Sequence, residues 1–344
     1  MIMKIRHIFL LLCLFCVAVA DAFGGVQPCQ FAMKDGSKRN GKVITPDAAG
    51  RNIIVVFVNH REESGEANYQ AESDLVDKLL ANGISCCFYD QSPTQSSTET
   101  TLFEMADDAQ MVYKGLKKNK LYKKFQIGFF GLSESGASAI IAAQNVGDAA
   151  FLLLLNTIVM PEREHDVVKY SNVLLGSKFR PNLPPCLGFS YPDYVRLLNF
   201  FAQNGDSSTT DALIEQAYEQ FGSKTYLTKS DFVAIQRRTW NGCFDQRGVS
   251  ERLQWDANQY LTELKCPILY VANSADRNAF GYANLFEFEK RMHALGNDHF
   301  TTILMDGDHF FNSPSPLSVA LPLANNINKR TRCNDLIVKW IDGL

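Results

Sequence analysis

Short hydrophobic segments alternate with amphipathic ones along most of the chain. The hydrophobic segments are rich in β-branched and aromatic residues and predict strands at 52–59, 84–89, 125–130, 151–155, 267–272 and 300–305. Between them, apolar residues recur every three to four positions and predict helices at 66–82, 98–118, 134–144, 285–295 and 334–342. Because the strands are almost continuously apolar, we expect a mainly parallel sheet with helices on both faces, which is an α/β fold.

This alternation stops between residues 161 and 262, where helical patterns and loops predominate. We therefore predict a helical insertion at 161–262 within an α/β core formed by 23–160 and 263–344. The insertion carries aromatic residues that either pack its own core or line an apolar pocket. The sequence leaves both interpretations open for Tyr191, Tyr194, Phe200, Phe201 and Trp240.

The first 22 residues have the pattern of a signal peptide. Lys4 and Arg6 precede the apolar run Ile8–Ala20, which is too short for a comfortable membrane span. Small residues then fit cleavage before Asp21 or Phe23. We expect an exported protein, secreted or periplasmic, although an uncleaved N-terminal anchor is the alternative. The later sequence contains no apolar run long enough to predict a membrane span.

Composition and charge narrow the class of protein further. The chain is 46% hydrophobic and 21% charged, which is typical of globular proteins and argues against disorder or a coiled coil. The formal net charge of −3, without a basic stripe, gives no reason to expect nucleic acid as a partner. The sequence has no zinc spacing, phosphate-binding loop or dinucleotide-binding loop, so no metal or organic cofactor is expected. Nothing in it indicates the oligomeric state.

Nine cysteines are present, and two of them lie in the predicted signal peptide. The remaining odd number leaves at least one thiol unpaired. Cys86 and Cys87 are expected on opposite faces of a buried strand, as core thiols rather than a bridge. Cys266, at the start of a strand, is also expected to be buried. A bridge between Cys186 and Cys243 would cross-link the insertion, but the sequence does not fix this pairing.

Ser133 lies between a predicted strand and a predicted helix of small residues, in the segment Gly-Phe-Phe-Gly-Leu-Ser-Glu-Ser-Gly. This segment approaches the G-x-S-x-G nucleophile elbow, in which small neighbours allow a strained turn to expose the serine. Ser135 replaces the second glycine of the pattern, and Gly136 follows it. The alternative interpretation is that Ser133 only caps the helix beginning at Glu134.

A serine nucleophile needs a base and a residue that orients the base. His309 follows the last predicted strand and Asp276 follows the one before it, so both are expected at the carboxyl edge of the sheet, with Ser133. Glu162, the nearest carboxylate after the strand at 151–155, is an alternative acid. Asp308 is a weaker candidate because the side chain of an adjacent residue usually points elsewhere.

The order Ser133, Asp276, His309, with the motifs GLSESG, NSADRN and DGDHFF, resembles the α/β-hydrolase superfamily with a helical cap over roughly residues 40–343. The resemblance implies an eight-strand core and a catalytic triad of these three residues. It also implies oxyanion donors, namely the backbone N–H of Glu134 and that of His60 or Arg61. The segment Asn59-His60-Arg61-Glu62 departs from the glycine-rich loop of many relatives, and His60 is alternatively a substrate contact.

The resemblance implies an exported serine hydrolase, carboxylesterase or lipase-like, that cleaves ester or acyl substrates through an acyl-enzyme. Two other functions stay open at this point. One is an exported peptidase on short peptides, for which Glu162, Glu164 and Asp166 are candidates to bind a peptide amine. The other is a non-catalytic binding protein that keeps the fold.

Overall fold

The computed structural model describes residues 25–47, 50–59, 64–91, 100–161, 165, 189–204, 210–240, 254–276, 278–311 and 329–344. Its centre is an eight-stranded sheet in which the strands, counted along the chain, lie in the order first, second, fourth, third, fifth, sixth, seventh and eighth. The first strand pairs antiparallel with the second, and the second pairs antiparallel with the fourth, whereas all other neighbours are parallel. The strands are β1 Val26–Ala32, β2 Lys38–Ile44, β3 Ile53–Phe57, β4 Ser85–Tyr89, β5 Gln126–Leu132, β6 Leu152–Leu155, β7 Ile268–Asn273 and β8 Phe300–Met305.

The helices of the described residues include those that connect the parallel strands and cover both faces of the sheet. They are α1 Gly65–Ala71, α2 Ser73–Ala81, α3 Leu102–Lys118, α4 Glu134–Val146, α5 Tyr191–Asn204, α6 Thr210–Phe221, α7 Lys229–Trp240, α8 Asn258–Leu261, α9 Gly281–Ala294 and α10 Lys329–Asp342. Helix α3 begins at a capping box, in which Thr101 and Glu104 each bond the other's backbone N–H. None of the helices in these ranges is long and apolar enough to cross a membrane.

The mainly parallel α/β fold predicted from the sequence is confirmed, with two local differences. The β1–β2 hairpin was not predicted, because most residues of β1 are exposed and form no hydrophobic run. The sheet therefore begins at Val26, earlier than the region near residue 40 where the resemblance begins. The predicted helix at 66–82 is two helices that meet at Glu72, whose carboxylate accepts a hydrogen bond from Arg330 of α10.

Two apolar layers hold the helices against the sheet. Helices α3, α4 and α9 pack on one face, and α2 and α10 pack on the other. Cys87 belongs to the first layer and Cys86 to the second, so these adjacent thiols point to opposite faces as predicted. Cys266 is buried too, and burial raises its pKa to about 11. All three are free thiols, whereas Cys186 and Cys243 lie outside the described residues.

Helices α5, α6 and α7 lie in the predicted insertion and share a separate apolar core. Tyr194, Phe200 and Phe201 are buried in this core, together with residues such as Ile214 and Phe232. These three aromatic side chains therefore pack among the helices of the insertion, which was one of the two interpretations of the sequence. The side chains of Tyr191 and Trp240 lie outside the described part of the chain.

An ion pair between a buried arginine and a half-buried aspartate links β2 to α3 and makes stability depend on pH. The Nε atom of Arg39 lies 3.9 Å from Oδ2 of Asp108, whose side chain is 21% exposed. Burial raises the pKa of Asp108 to about 6; Arg39 opposes this rise, while Asp35, Asp107 and Glu104 add to it. Because this pKa is higher in the folded than in the unfolded chain, stability falls as pH rises from about 4 to 6.

We expect Asp108→Asn to stabilise the protein by about 1–3 kcal/mol at pH 7.5 and by much less at pH 4, where the native carboxyl is already protonated. Urea unfolding at the two pH values measures this difference. Asp107→Asn is the control, since Asp107 pairs with Lys34 at the surface and is expected to contribute little. Equal effects of Asp108→Asn at both pH values would show that the burial of this carboxylate does not limit stability.

Candidate active site

Ser133 is the single residue between the end of β5 and the start of α4. Its backbone has φ 57° and ψ −123°, a conformation that is costly for a residue with a side chain. Its side chain makes no capping hydrogen bond to the helix. The interpretation of Ser133 as a simple helix cap is therefore wrong. The serine instead occupies a strained strand-to-helix turn at the carboxyl edge of the sheet.

Two glycines allow this turn to close. A Cβ atom on Gly131 would lie 2.5 Å from the Cα of Gly136, and one on Gly136 would lie 1.9 Å from Oγ1 of Thr157. The Ser135 hydroxyl accepts a hydrogen bond from the Leu132 N–H and donates one to the Leu132 carbonyl, at 2.9 Å in both cases. Ser135 therefore fastens the turn, while the close backbone approach is made at Gly136.

The tight turn predicts that two glycine-to-alanine substitutions differ greatly in their effect on stability. Gly131→Ala should lower the free energy of unfolding by about 1–3 kcal/mol, because the new methyl group meets backbone atoms that cannot move aside. Gly25→Ala is the control, since a Cβ there meets nothing within 4 Å. Urea unfolding compares the two variants, and equal stabilities would contradict the tight turn.

Asp276 and His309 form a buried pair at the same edge of the sheet. The Nδ1 atom of His309 lies 2.8 Å from Oδ2 of Asp276, and both side chains are buried. The other carboxylate oxygen accepts hydrogen bonds from the backbone N–H groups of Asn278 and Ala279, at 2.8 and 3.0 Å. These bonds fix the carboxylate with one oxygen toward the ring. Nδ1 then carries the proton and Nε2 is the basic nitrogen.

Asp308, one of the two alternative acids, is placed differently from Asp276. The carboxylate of Asp308 accepts a hydrogen bond from the Phe310 N–H at 2.9 Å, and it is Asp276 that contacts the His309 ring. Glu162 lies outside the described residues, together with Glu164, Asp166, His60 and Arg61. Glu134 is the first residue of α4, at the end of the helix toward which its backbone N–H groups point. This is the position expected of an oxyanion donor.

Neighbouring residues at the end of β6 tie the serine turn to the histidine loop. The Ser133 N–H donates to the Leu155 carbonyl at 2.8 Å. The next residue, Asn156, donates from Nδ2 to the His309 carbonyl, also at 2.8 Å. The nucleophile and base candidates are thus attached to consecutive residues of one buried strand end, although 176 positions separate them along the chain.

Asn273 completes this arrangement at the end of β7. Its N–H donates to Oδ1 of Asn156 at 2.8 Å, and its carbonyl accepts from the Asp276 N–H at 3.3 Å. Sequence reasoning missed both asparagines. The available signal was that an asparagine stands at, or just beyond, the carboxyl ends of β3, β6 and β7, as Asn59, Asn156 and Asn273.

Within the described ranges, no group of three His, Cys, Asp or Glu side chains is placed to hold a metal ion. Ser133, His309 and Asp276 are the residue types that nucleophilic attack by an activated hydroxyl requires. The three residues come from the ends of β5, β8 and β7.

Comparison with known proteins identifies the type of fold. No family model matches the sequence, and no curated protein matches it significantly. Solved structures similar to this chain include an esterase of Pyrococcus furiosus, with 14% identity, a TM-score of 0.54 and coverage of 93% of this chain and 90% of that one. A carboxyl esterase of Bacillus coagulans has 14% identity and a TM-score of 0.54, over 93% of this chain and 98% of that one.

A proline iminopeptidase of Mycobacterium smegmatis is similar as well, with 12% identity, a TM-score of 0.52 and coverage of 92% of this chain and 98% of that one. All three structures are α/β hydrolases. This chain therefore has the α/β-hydrolase fold, as the sequence motifs implied. At these identities the likeness defines the fold, and the reaction has to be argued from the site.

Proposed function

We propose that the protein is a serine hydrolase that cleaves carboxylic esters, with Ser133 as nucleophile, His309 as general base and Asp276 as the orienting acid. The observation that carries this proposal is the buried Asp276–His309 pair, at 2.8 Å, on the sheet edge that also presents the strained Ser133 turn. The esterases among the similar structures support the choice of an ester substrate.

In the proposed reaction, Nε2 of His309 takes the Ser133 proton as Oγ attacks the ester carbonyl carbon. The tetrahedral oxyanion is held by the backbone N–H of Glu134 and by a second donor, that of His60 or Arg61. His309 then protonates the leaving alkoxide, which departs and leaves an acyl-enzyme on Ser133. Water, deprotonated by His309, attacks the acyl group; the bond to Ser133 Oγ then breaks, His309 returns the proton to that oxygen, and the acid is released.

Asp276 has two tasks in this scheme. It keeps the Nδ1–H tautomer of His309, so that the lone pair of Nε2 faces the serine. Its negative charge also stabilises the imidazolium that forms when His309 accepts the proton. Its two backbone hydrogen bonds hold the carboxylate in place throughout.

A substrate panel tests the ester specificity. The panel pairs p-nitrophenyl esters of increasing acyl length with amino-acyl and prolyl naphthylamides. We expect turnover of the esters and no detectable turnover of the naphthylamides, because an activated ester loses its alkoxide readily whereas an amide needs a general acid placed to protonate its amine. Short esters are expected for a carboxylesterase and long ones for a lipase-like enzyme. Clear cleavage of the naphthylamides would instead identify a peptidase, and turnover of neither would favour a binding protein.

We also propose that a signal peptide, residues 1–20 or 1–22, is removed during export to the periplasm or the medium. The support is the basic start, the short apolar run and the small-residue cleavage sites of this segment. N-terminal sequencing of the exported product should find Asp21 or Phe23 as the first residue. An intact Met1 in a membrane fraction would identify the segment as an anchor.

A further inference from the structure

Asn156 has a positive φ, and both polar atoms of its side chain are hydrogen-bonded. It follows β6, has no solvent exposure and adopts the left-handed conformation with φ 45°, which asparagine tolerates better than most residues. Its Oδ1 accepts from the Asn273 N–H and its Nδ2 donates to the His309 carbonyl. One side chain thus bridges the β7 loop that carries Asp276 and the β8 loop that carries His309.

We propose that Asn156 is a positioning residue, whose carboxamide sets the place of the His309 loop relative to the Ser133 turn. This role rests on the proposed function. The support is the pair of consecutive residues at the end of β6: the Leu155 carbonyl holds the Ser133 backbone, and the Asn156 side chain holds the His309 backbone. Because β6 is buried on both faces between two parallel neighbours, this strand end is a rigid reference.

Asn273 supports the same loop from the other side. Its Nδ2 donates to the Asp308 carbonyl at 2.8 Å, one residue before His309. Its own N–H is held by Asn156, so a shift of the Asn156 carboxamide would also release the start of the Asp276 loop. The Asn156 side chain therefore controls the separation of two loops whose side chains must meet within hydrogen-bond distance.

The bridge needs a donor at one end and an acceptor at the other. A carboxamide supplies both, and so does a protonated carboxylic acid, whereas an ionised carboxylate supplies acceptors only. An ionised carboxylate at position 156 would therefore offer no hydrogen-bond donor to the His309 carbonyl. The described ionisable residues of the two bridged loops are Asp276, Asp306, Asp308 and His309. In this buried and acidic setting, an introduced carboxyl is expected to keep its proton to a higher pH than in water.

Asn156→Gly removes the carboxamide and keeps a residue that accepts positive φ. We expect the rate of Ser133 labelling by a small fluorophosphonate, and kcat for p-nitrophenyl acetate, to fall by about 10- to 100-fold. KM should stay within about twofold, because the change displaces the base and leaves the groups that bind the ester. Asn334→Ala is the matched control, since this buried carboxamide packs between α10 and α2, away from the loops. It should lower the unfolding temperature and leave kcat unchanged.

Asn156→Asp provides a second test that does not depend on the glycine variant folding. Its activity, divided by that of the native protein at each pH, should be near one at low pH and fall as the introduced carboxyl ionises. The Asn334→Asp variant should show no such trend in kcat of the folded protein. A purely structural role would change stability in both cases without this pH-dependent loss of kcat.

The outcomes separate the two levels of the proposal. The positioning role alone would be overturned in two cases, provided that fluorophosphonate labels the native protein. One is an Asn156→Gly variant that keeps kcat within about twofold of native. The other is an Asn156→Asp variant whose activity relative to native does not change with pH. A folded native protein that neither reacts with fluorophosphonate nor hydrolyses p-nitrophenyl acetate would overturn the proposed function, and this role with it.

Discussion

Ser133→Ala should abolish ester hydrolysis, with kcat falling by at least about 10⁴-fold, while the protein stays folded. The loss follows because the hydroxyl oxygen is the atom that forms the acyl bond. The fold should survive because the Ser133 side chain makes no capping bond and its backbone N–H still reaches the Leu155 carbonyl. Steady-state kinetics and a thermal unfolding curve measure both parts of this result.

Ser135→Ala is the control and should behave in the opposite way. It deletes the hydroxyl that bonds the Leu132 backbone, so the unfolding temperature should fall, whereas kcat should stay within about tenfold of native. Loss of activity without loss of stability in Ser133→Ala, and the reverse in Ser135→Ala, would identify Ser133 as the nucleophile and Ser135 as a turn residue. Full activity in Ser133→Ala combined with its loss in Ser135→Ala would mean that the wrong serine has been assigned.

The second large effect on activity is expected when Asp276, the proposed orienting acid, is substituted. Asp276→Asn keeps the side-chain size and can retain the hydrogen bonds from Asn278 and Ala279 through its remaining oxygen. Its NH₂ group would then face Nδ1 of His309 and turn that nitrogen into an acceptor. The imidazole proton would move to Nε2, where it blocks proton transfer from Ser133. We expect kcat to fall by about 10²- to 10⁴-fold.

Asp308→Asn serves as the control for this change. Its carboxylate bonds the Phe310 N–H, a contact that an asparagine oxygen can also make, so kcat should stay close to native. Circular dichroism checks that both variants are folded. The assignment of Asp276 would fail if Asp276→Asn turned over at the native rate while Asp308→Asn or Glu162→Gln did not.

The sequence predicted those parts of the site that depend on local pattern. The apolar run of β5, the small residues after it and the helical spacing of α4 place Ser133 at a strand-to-helix turn without knowledge of the tertiary structure. The ends of two further parallel strands place Asp276 and His309 on the same edge, because parallel strands end together. The contact between these two side chains agrees with that reasoning.

Other features depend on partners that are distant along the chain. Asn156 and His309 are 153 positions apart, and no local pattern relates a polar residue after a strand to the backbone it holds. The role of Gly136 was also hidden, because a Cβ there would meet Thr157, which lies just after β6. The β1–β2 hairpin lies at the edge of the sheet, and an exposed edge strand carries little of the hydrophobic signal by which buried strands are found.

The central claim is that Ser133 is an activated nucleophile, and its covalent modification tests this most directly. The native protein is incubated with a fluorophosphonate, weighed intact by mass spectrometry and then digested to map the adduct. We predict one phosphonyl group per chain, on Ser133, absent from Ser133→Ala and formed much more slowly by Asp276→Asn. Labelling that persists in Ser133→Ala, or a folded native protein that takes up no label, would contradict the claim.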